Sequence, residues 1–200
     1  MKKITFAILI FLICSSLYSQ AVNPKTSVTL FIGGLFPISG QAGEIYPSKG
    51  INAGLEFFIW KNKFGVYTDL TFNYCKTDFN KYGDPYLTYL SNPGYYIMKF
   101  SLGPRWLIGK GRIYGSIDLG VGAYFRKNDG YSYKDTRGNI TTISATKFRG
   151  PGIGTNLGGM LNFAVSKNLE FTVKSKFNLI GFPPVGELYF ELAGGLGIKL

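Results

Sequence analysis

The sequence predicts an all-β fold, an eight-stranded antiparallel up-and-down transmembrane β-barrel, on three observations. Apolar and polar residues alternate with a period of two in eight successive runs of about ten residues, the length a tilted strand needs to cross an apolar layer. Short turns and long loops strictly alternate between the runs. Charged residues inside the runs fall on one face only.

The chain begins with Lys2 and Lys3, an unbroken apolar run over residues 4–13, and then Ser15, Ser16, Ser19 and Gln20. That order is a secretory signal, too short to be a spanning helix. Cleavage is expected after Ser19, which divides the chain into a signal peptide, 1–19, and a barrel domain, 20–200. A lipid-bearing cysteine at Cys14 wants a small residue before it, and Ile13 stands there. Cys75 is then the one cysteine of the mature chain, and its expected use is as a small packed residue. The 22 Lys and Arg include Lys2 and Lys3, so 20 remain against 11 acids, a net charge of +9. Charged residues are only 16% of the chain and aromatics equal them, which is far from the roughly 25% charged content of soluble domains.

The first run, 28–36, is the least regular, because Phe31 and Leu35 fall among polar positions. The second sets Ile51, Ala53, Leu55, Phe57 and Ile59 against Asn52, Gly54, Glu56, Phe58 and Trp60. The third sets Val66, Thr68, Leu70, Phe72 and Tyr74 against Tyr67, Asp69, Thr71, Asn73 and Cys75. The fourth places Met98, Phe100, Leu102, Trp106 and Ile108 opposite Lys99, Ser101, Gly103 and Arg105, with Pro104 calling for a bulge beside Gly103. In the fifth, Ile117, Leu119 and Val121 oppose Tyr114, Ser116 and Asp118, and in the sixth Leu157 and Leu161 oppose Asn156 and Met160. Phe171, Val173 and Phe177 of the seventh oppose Glu170, Lys174 and Lys176. The eighth ends the chain, with Leu192, Leu196 and Ile198 opposing Glu191 and Lys199. The turns are 61–63, 109–111 and 166–168; the loops lie near 39–48, 76–94, 126–147 and 181–187. In an outer-membrane barrel the turns face the periplasm and the loops the outside. The second loop, with Tyr82 and the alternation Tyr86, Thr88 and Leu90, is expected to extend the barrel as a hairpin.

Eight strands enclose just enough room for side chains. A lumen charge network of Glu56, Asp69, Lys99, Arg105, Asp118, Glu170, Lys174, Lys176 and Glu191 is therefore expected to pair within itself, first between neighbouring strands, Asp118 with Arg105 and Glu191 with Lys174. An arginine at the lumen position Thr71 is expected to cost less than one at the lipid-facing Leu70. The alternative of a soluble barrel with its greasy face inward fits less well, since the polar face mixes balanced charges with Gly, Ser, Asn and Tyr. The third loop carries a surface-loop basic cluster of Arg126, Lys127, Lys134, Arg137, Lys147 and Arg149. The anions nearest such a loop are lipid phosphates and polysaccharide, not nucleic acid.

The chain contains no histidine, so Ser-His-acid and Asp-His catalysis are excluded, and no cysteine pair or histidine offers a metal site. No catalytic residue, metal or cofactor is expected. The stretch LGPRWLIGKGRIYGSIDLGVGAY within residues 99–124 and the closing run LYFELAGGLGIKL resemble the small OmpA/OmpX-type outer-membrane barrels, and more closely the PorT-like barrel domains. Leu200 departs from the aromatic residue that usually ends these chains. The resemblance implies a bacterial outer-membrane location, lipopolysaccharide and phospholipid as neighbours, a protein or polysaccharide partner at the loops, and a monomer. A filled, non-enzymatic barrel is favoured; a narrow pore and a carrier of small apolar ligands are the alternatives.

Overall fold

The structure is a computed structural model that describes residues 25–39, 47–77, 86–91, 93–109, 111–145, 149–181 and 187–200. The expected signal peptide lies outside them. The strands among the described residues are β1 (Lys25–Ser39), β2 (Pro47–Lys61), β3 (Phe64–Thr77), β4 (Thr88–Tyr89), β5 (Gly94–Ile108), β6 (Ile113–Asn128), β7 (Tyr131–Lys134), β8 (Ile140–Ile143), β9 (Arg149–Ala164), β10 (Leu169–Ile180) and β11 (Glu187–Lys199). Eight of them close a barrel in the order β1-β11-β10-β9-β6-β5-β3-β2, and β4, β7 and β8 form a separate small sheet.

Alternation decides which way each side chain points. Leu30, Ile32, Ile51, Phe57, Leu70, Phe100, Leu119, Val121, Leu157, Phe177 and Leu196 are exposed on the outer wall, while the polar residues between them are buried. A wall of exposed large apolar side chains around a charged interior is the arrangement for lipid, since it would be expensive in water. Aromatic rings flank this band. At the loop rim Phe36, Phe177 and Phe190 pack together on β1, β10 and β11 while Tyr74 and Tyr96 pair on β3 and β5, and Phe163 packs on Phe171 toward the other rim.

Turn chemistry closes the hairpins at one end. Asn62 takes a left-handed φ of 57° in the two-residue connection between β2 and β3, a position Asn tolerates better than most side chains. Gly109 and Gly111 supply the positive φ between β5 and β6.

Several expectations are corrected by the register. β1 runs through 25–39 and not 28–36, and its alternation is regular: Phe31 and Leu35 lie on the inward, polar face where the sequence puts them, buried at 3% and 1% exposure. Pro104 needs no bulge. Leu102 faces Val121 and Arg105 faces Asp118, three residues on in both strands, so the register passes the proline unbroken. Gly103 and Gly120 let the two backbones approach there, since a Cβ at Gly103 would lie 2.6 Å from the Gly120 Cα. The register shifts lie instead at the loop end, between Pro37 and Ser39, Pro47 and Gly50, and Tyr124 and Arg126.

Among its described residues, the second loop pairs with the third loop, not with itself. Thr88 and Tyr89 pair with Lys134 and Tyr133 of β7, which in turn forms a hairpin with β8. Tyr82 lies outside the described residues. Tyr89, Tyr131 and Tyr133 pack with ring centroids 6.1 to 6.4 Å apart, and their mutual burial holds the two loops together.

Candidate functional site

The lumen is filled in three levels. At mid-height, Glu56 on β2 stands directly opposite Asp69 on β3, two like charges in adjacent positions that would repel if left alone. Lysines from the far wall bridge them. Lys174 Nζ lies 2.8 Å from Asp69 Oδ2 and 3.3 Å from Glu56 Oε2, and Lys176 Nζ lies 3.0 Å from the same Asp69 oxygen. Lys99 reaches Glu191 at 2.7 Å and Asp69 at 3.6 Å. Arg105 holds Asp118 through Nε at 2.6 Å and Nη2 at 2.7 Å, and turns Nη1 to Glu56 at 2.5 Å. Four carboxylates and four cations thus form one continuous, charge-balanced cluster, with every member buried.

Sequence adjacency misplaces one of these pairs. Glu191 joins Lys99, not Lys174, although Glu191 sits beside Lys176 in the β10–β11 register. In so narrow a barrel a lysine spans the lumen, and the opposite wall is as near as the next strand. Glu170 also stands apart from the cluster. It pairs with Lys199 at 2.9 Å and accepts a hydrogen bond from Tyr114 near the turn end.

Toward the turns, Phe58 and Trp60 stack at 4.8 Å, and the Arg105 guanidinium lies 4.7 Å from the Phe58 ring centre and 4.9 Å from that of Tyr67. Tyr67 crosses to donate to Asn156 Oδ1 at 2.5 Å. Its phenol occupies space that only a glycine leaves, because a Cβ at Gly120 would lie 2.2 Å from the hydroxyl oxygen. A small cavity beside Thr29, Phe58, Met160 and Glu170 has room for about one water.

Toward the loops, Glu187 is gripped by three groups. Tyr189 donates at 2.5 Å, Tyr95 at 3.1 Å and Arg126 Nη1 at 2.6 Å. Leu35, Ile97, Tyr124 and Ile180 pack around them with Cys75, whose thiol lies 3.6 Å from the Tyr95 carbonyl oxygen. Sequence reasoning places Tyr189 on the inward face of the last strand but leaves Glu187 at a loop edge, and so misses this upper level. The signal was present, since Glu187, Tyr189 and Glu191 share one parity, as do Tyr95, Ile97 and Lys99.

The basic cluster expected in the third loop is dispersed. Arg126 belongs to β6 and turns into the mouth, and Lys127 lies 3.9 Å from Asp129 and over the Tyr96 ring. Lys134 and Arg137 are exposed on the small sheet and its turn. Lys147 and the Arg149 side chain lie outside the described residues. Among the described residues, no group of three or more Cys, Asp and Glu side chains converges as a metal site.

This geometry can be set beside known structures. OprG from Pseudomonas aeruginosa superposes with a TM-score of 0.58 at 9% identity, over 88% of this chain and 95% of that one. A major outer membrane protein from Thermus thermophilus gives 0.53 at 11% identity, over 90% and 100%. Neisserial surface protein A gives 0.51 at 13%, over 88% and 96%. No family model matches the sequence, and no curated protein matches it. At such identities the likeness is one of backbone architecture, and on that ground the chain has the fold of the small outer-membrane barrels of the OmpA/OmpX type.

Proposed function

We propose that the mature chain, residues 20–200, is a non-enzymatic, monomeric protein of the bacterial outer membrane, exported by cleavage of residues 1–19, whose sealed barrel carries surface loops. The observation that supports this reading is the balanced cluster of eight buried charges at mid-height, which leaves side chains and not solvent across the lumen. Eight of the nine lumen residues named from the sequence act as a plug, and Glu170 pairs separately with Lys199 nearer the turns. Their work is structural, holding the walls together so that the outer loops have a rigid base.

The turns face the periplasm and the loops the exterior, where the β4-β7-β8 sheet and its exposed Lys134 and Arg137 meet a protein or polysaccharide partner. The carrier alternative loses its motive, because Phe31 and Leu35 are packed inside a filled lumen. Proteoliposome swelling in small sugars tests the reading. Swelling no faster than that of empty vesicles is expected, and rapid swelling would replace the plug with a pore.

A further inference from the structure

The turn end of the barrel carries a one-sided charge. Lys25 at the start of β1, Lys61 and Lys63 on either side of Asn62, Arg112 before β6 and Lys167 between β9 and β10 are all exposed. Among the described residues, none of the five is ion-paired, whereas Lys199 at the same end is held by Glu170. No Asp or Glu occurs in any of the three turns. The loop end is mixed, since Glu187, Asp129 and Asp135 stand there among Arg126, Lys127 and the exposed Lys49, Lys76, Lys134 and Arg137.

Placement says what these cations meet. Four of them follow or precede an outward apolar residue by one or two positions: Lys61 after Ile59, Lys63 before Phe64, Arg112 before Ile113, and Lys167 between Val165 and Leu169. That is the depth where the apolar band ends, and where long cationic side chains lay their stems on the band and extend their heads outward. The five also stand on or beside β1, β2, β3, β6 and the β9–β10 turn, which spreads them around the circumference. A macromolecule docking from one side would meet only a few of them. An annulus of lipid meets them all.

We infer that this cationic rim binds the phosphate groups of anionic phospholipids in the leaflet at the turn end, and so selects lipid and fixes the height of the barrel. The inference rests on the reading of the chain as a membrane barrel. Such a rim concentrates anionic headgroups by Coulomb attraction, a short-range effect that salt suppresses.

The test uses the full mature protein refolded into phosphatidylcholine vesicles containing either spin-labelled phosphatidylglycerol or spin-labelled phosphatidylcholine, with the motionally restricted fraction of label read by electron paramagnetic resonance. Folding is checked in every sample by heat-modifiable mobility. The wild type is expected to restrict phosphatidylglycerol preferentially, with about a fivefold loss of relative affinity for each cation removed. The combined Lys61→Gln, Lys63→Gln, Arg112→Gln and Lys167→Gln variant should lose the preference, and about 1 M salt should abolish it in the wild type. Lys49→Gln with Lys76→Gln at the loop end should leave most of it. A folded wild type without preference, or a rim variant that keeps it, overturns the inference alone. Rim-dependent binding to isolated peptidoglycan without lipid preference would overturn it in favour of the cell wall. Failure to fold into either lipid overturns the membrane reading and the inference together.

Discussion

Lys174 and Asp69 touch at 2.8 Å although they stand on β10 and β3, which are four strands apart in either direction around the eight-stranded ring. Their contact therefore crosses the full width of the lumen. Glu191 and Lys99, on β11 and β5, do the same at 2.7 Å. Two cross-lumen pairs joined by the bridging carboxylates fill the middle of the barrel with paired side chains.

Breaking one partner should be costly. Lys99→Met leaves Glu191 without its cation and weakens the set around Asp69, and a loss of about 3 to 5 kcal/mol is expected. Adding Glu191→Gln should cost much less than a second independent loss, because the two residues share one interaction. Urea titration in vesicles, followed by Trp60 and Trp106 fluorescence, measures both; simple additivity would deny the pair.

On the outer wall, Leu119→Arg or Leu70→Arg should cost about 2 to 4 kcal/mol near the bilayer midplane. The sequence-based expectation that Thr71→Arg is milder does not survive the structure. Thr71 is fully buried and donates to Asp69 Oδ1 at 2.5 Å, so an arginine there overfills a packed charge cluster. Both kinds of variant should fail to reach the folded, heat-modifiable form. A well-folded Thr71→Arg would mean that the lumen has spare room.

Gly120→Ala tests the packing of the turn-side level. The added methyl would enter the space of the Tyr67 hydroxyl, which is fixed to Asn156, and a destabilisation of about 1 to 3 kcal/mol is expected. The same change at Gly115, where a Cβ would lie 3.4 Å from its nearest neighbour, should be nearly silent. Equal thermal stability of the two variants would contradict the assigned packing.

Asp135 organises the turn between β7 and β8. Hydrogen bonds from the Asn139 side chain, the Asn139 amide and the Arg137 amide hold its carboxyl below the usual aspartate range. A depressed folded-state value means that the turn gains stability above the unfolded pKa and loses it as pH falls through the folded one. Amide-exchange protection of Tyr131–Lys134 should therefore decline as pH falls below the usual aspartate range, and Asp135→Asn should remove that dependence. Protection independent of pH in the wild type would refute the link.

Much of this architecture is legible in sequence because a strand's period of two ties each residue to a face, and lipid leaves no tolerance for a charge on the outer one. Leu70 and Asp69 need no structure to be sorted. Contacts across the lumen are another matter, since parity does not encode height or distance. It could not tell that Glu191 would choose Lys99 over a lysine on the adjoining strand. Phe31 and Leu35 read as irregular because interior apolar residues break the simple pattern while obeying the geometry. The small sheet was hidden because Thr88 and Tyr89 find their partners in a different loop.

Topology can be read by chemistry on intact cells. In a Cys75→Ser background, Arg137→Cys and Thr142→Cys should react with an impermeant maleimide, while Asn62→Cys and Lys167→Cys should not. The opposite pattern would invert the proposed orientation.

Conductance of the refolded wild-type protein in a planar bilayer addresses the sealed lumen most directly. The cross-lumen pairs predict a baseline essentially free of channel events, because buried, paired side chains of Glu56, Asp69, Lys174 and Lys176 occupy the lumen at mid-height. Large, steady ion currents from the untouched protein would contradict the plug.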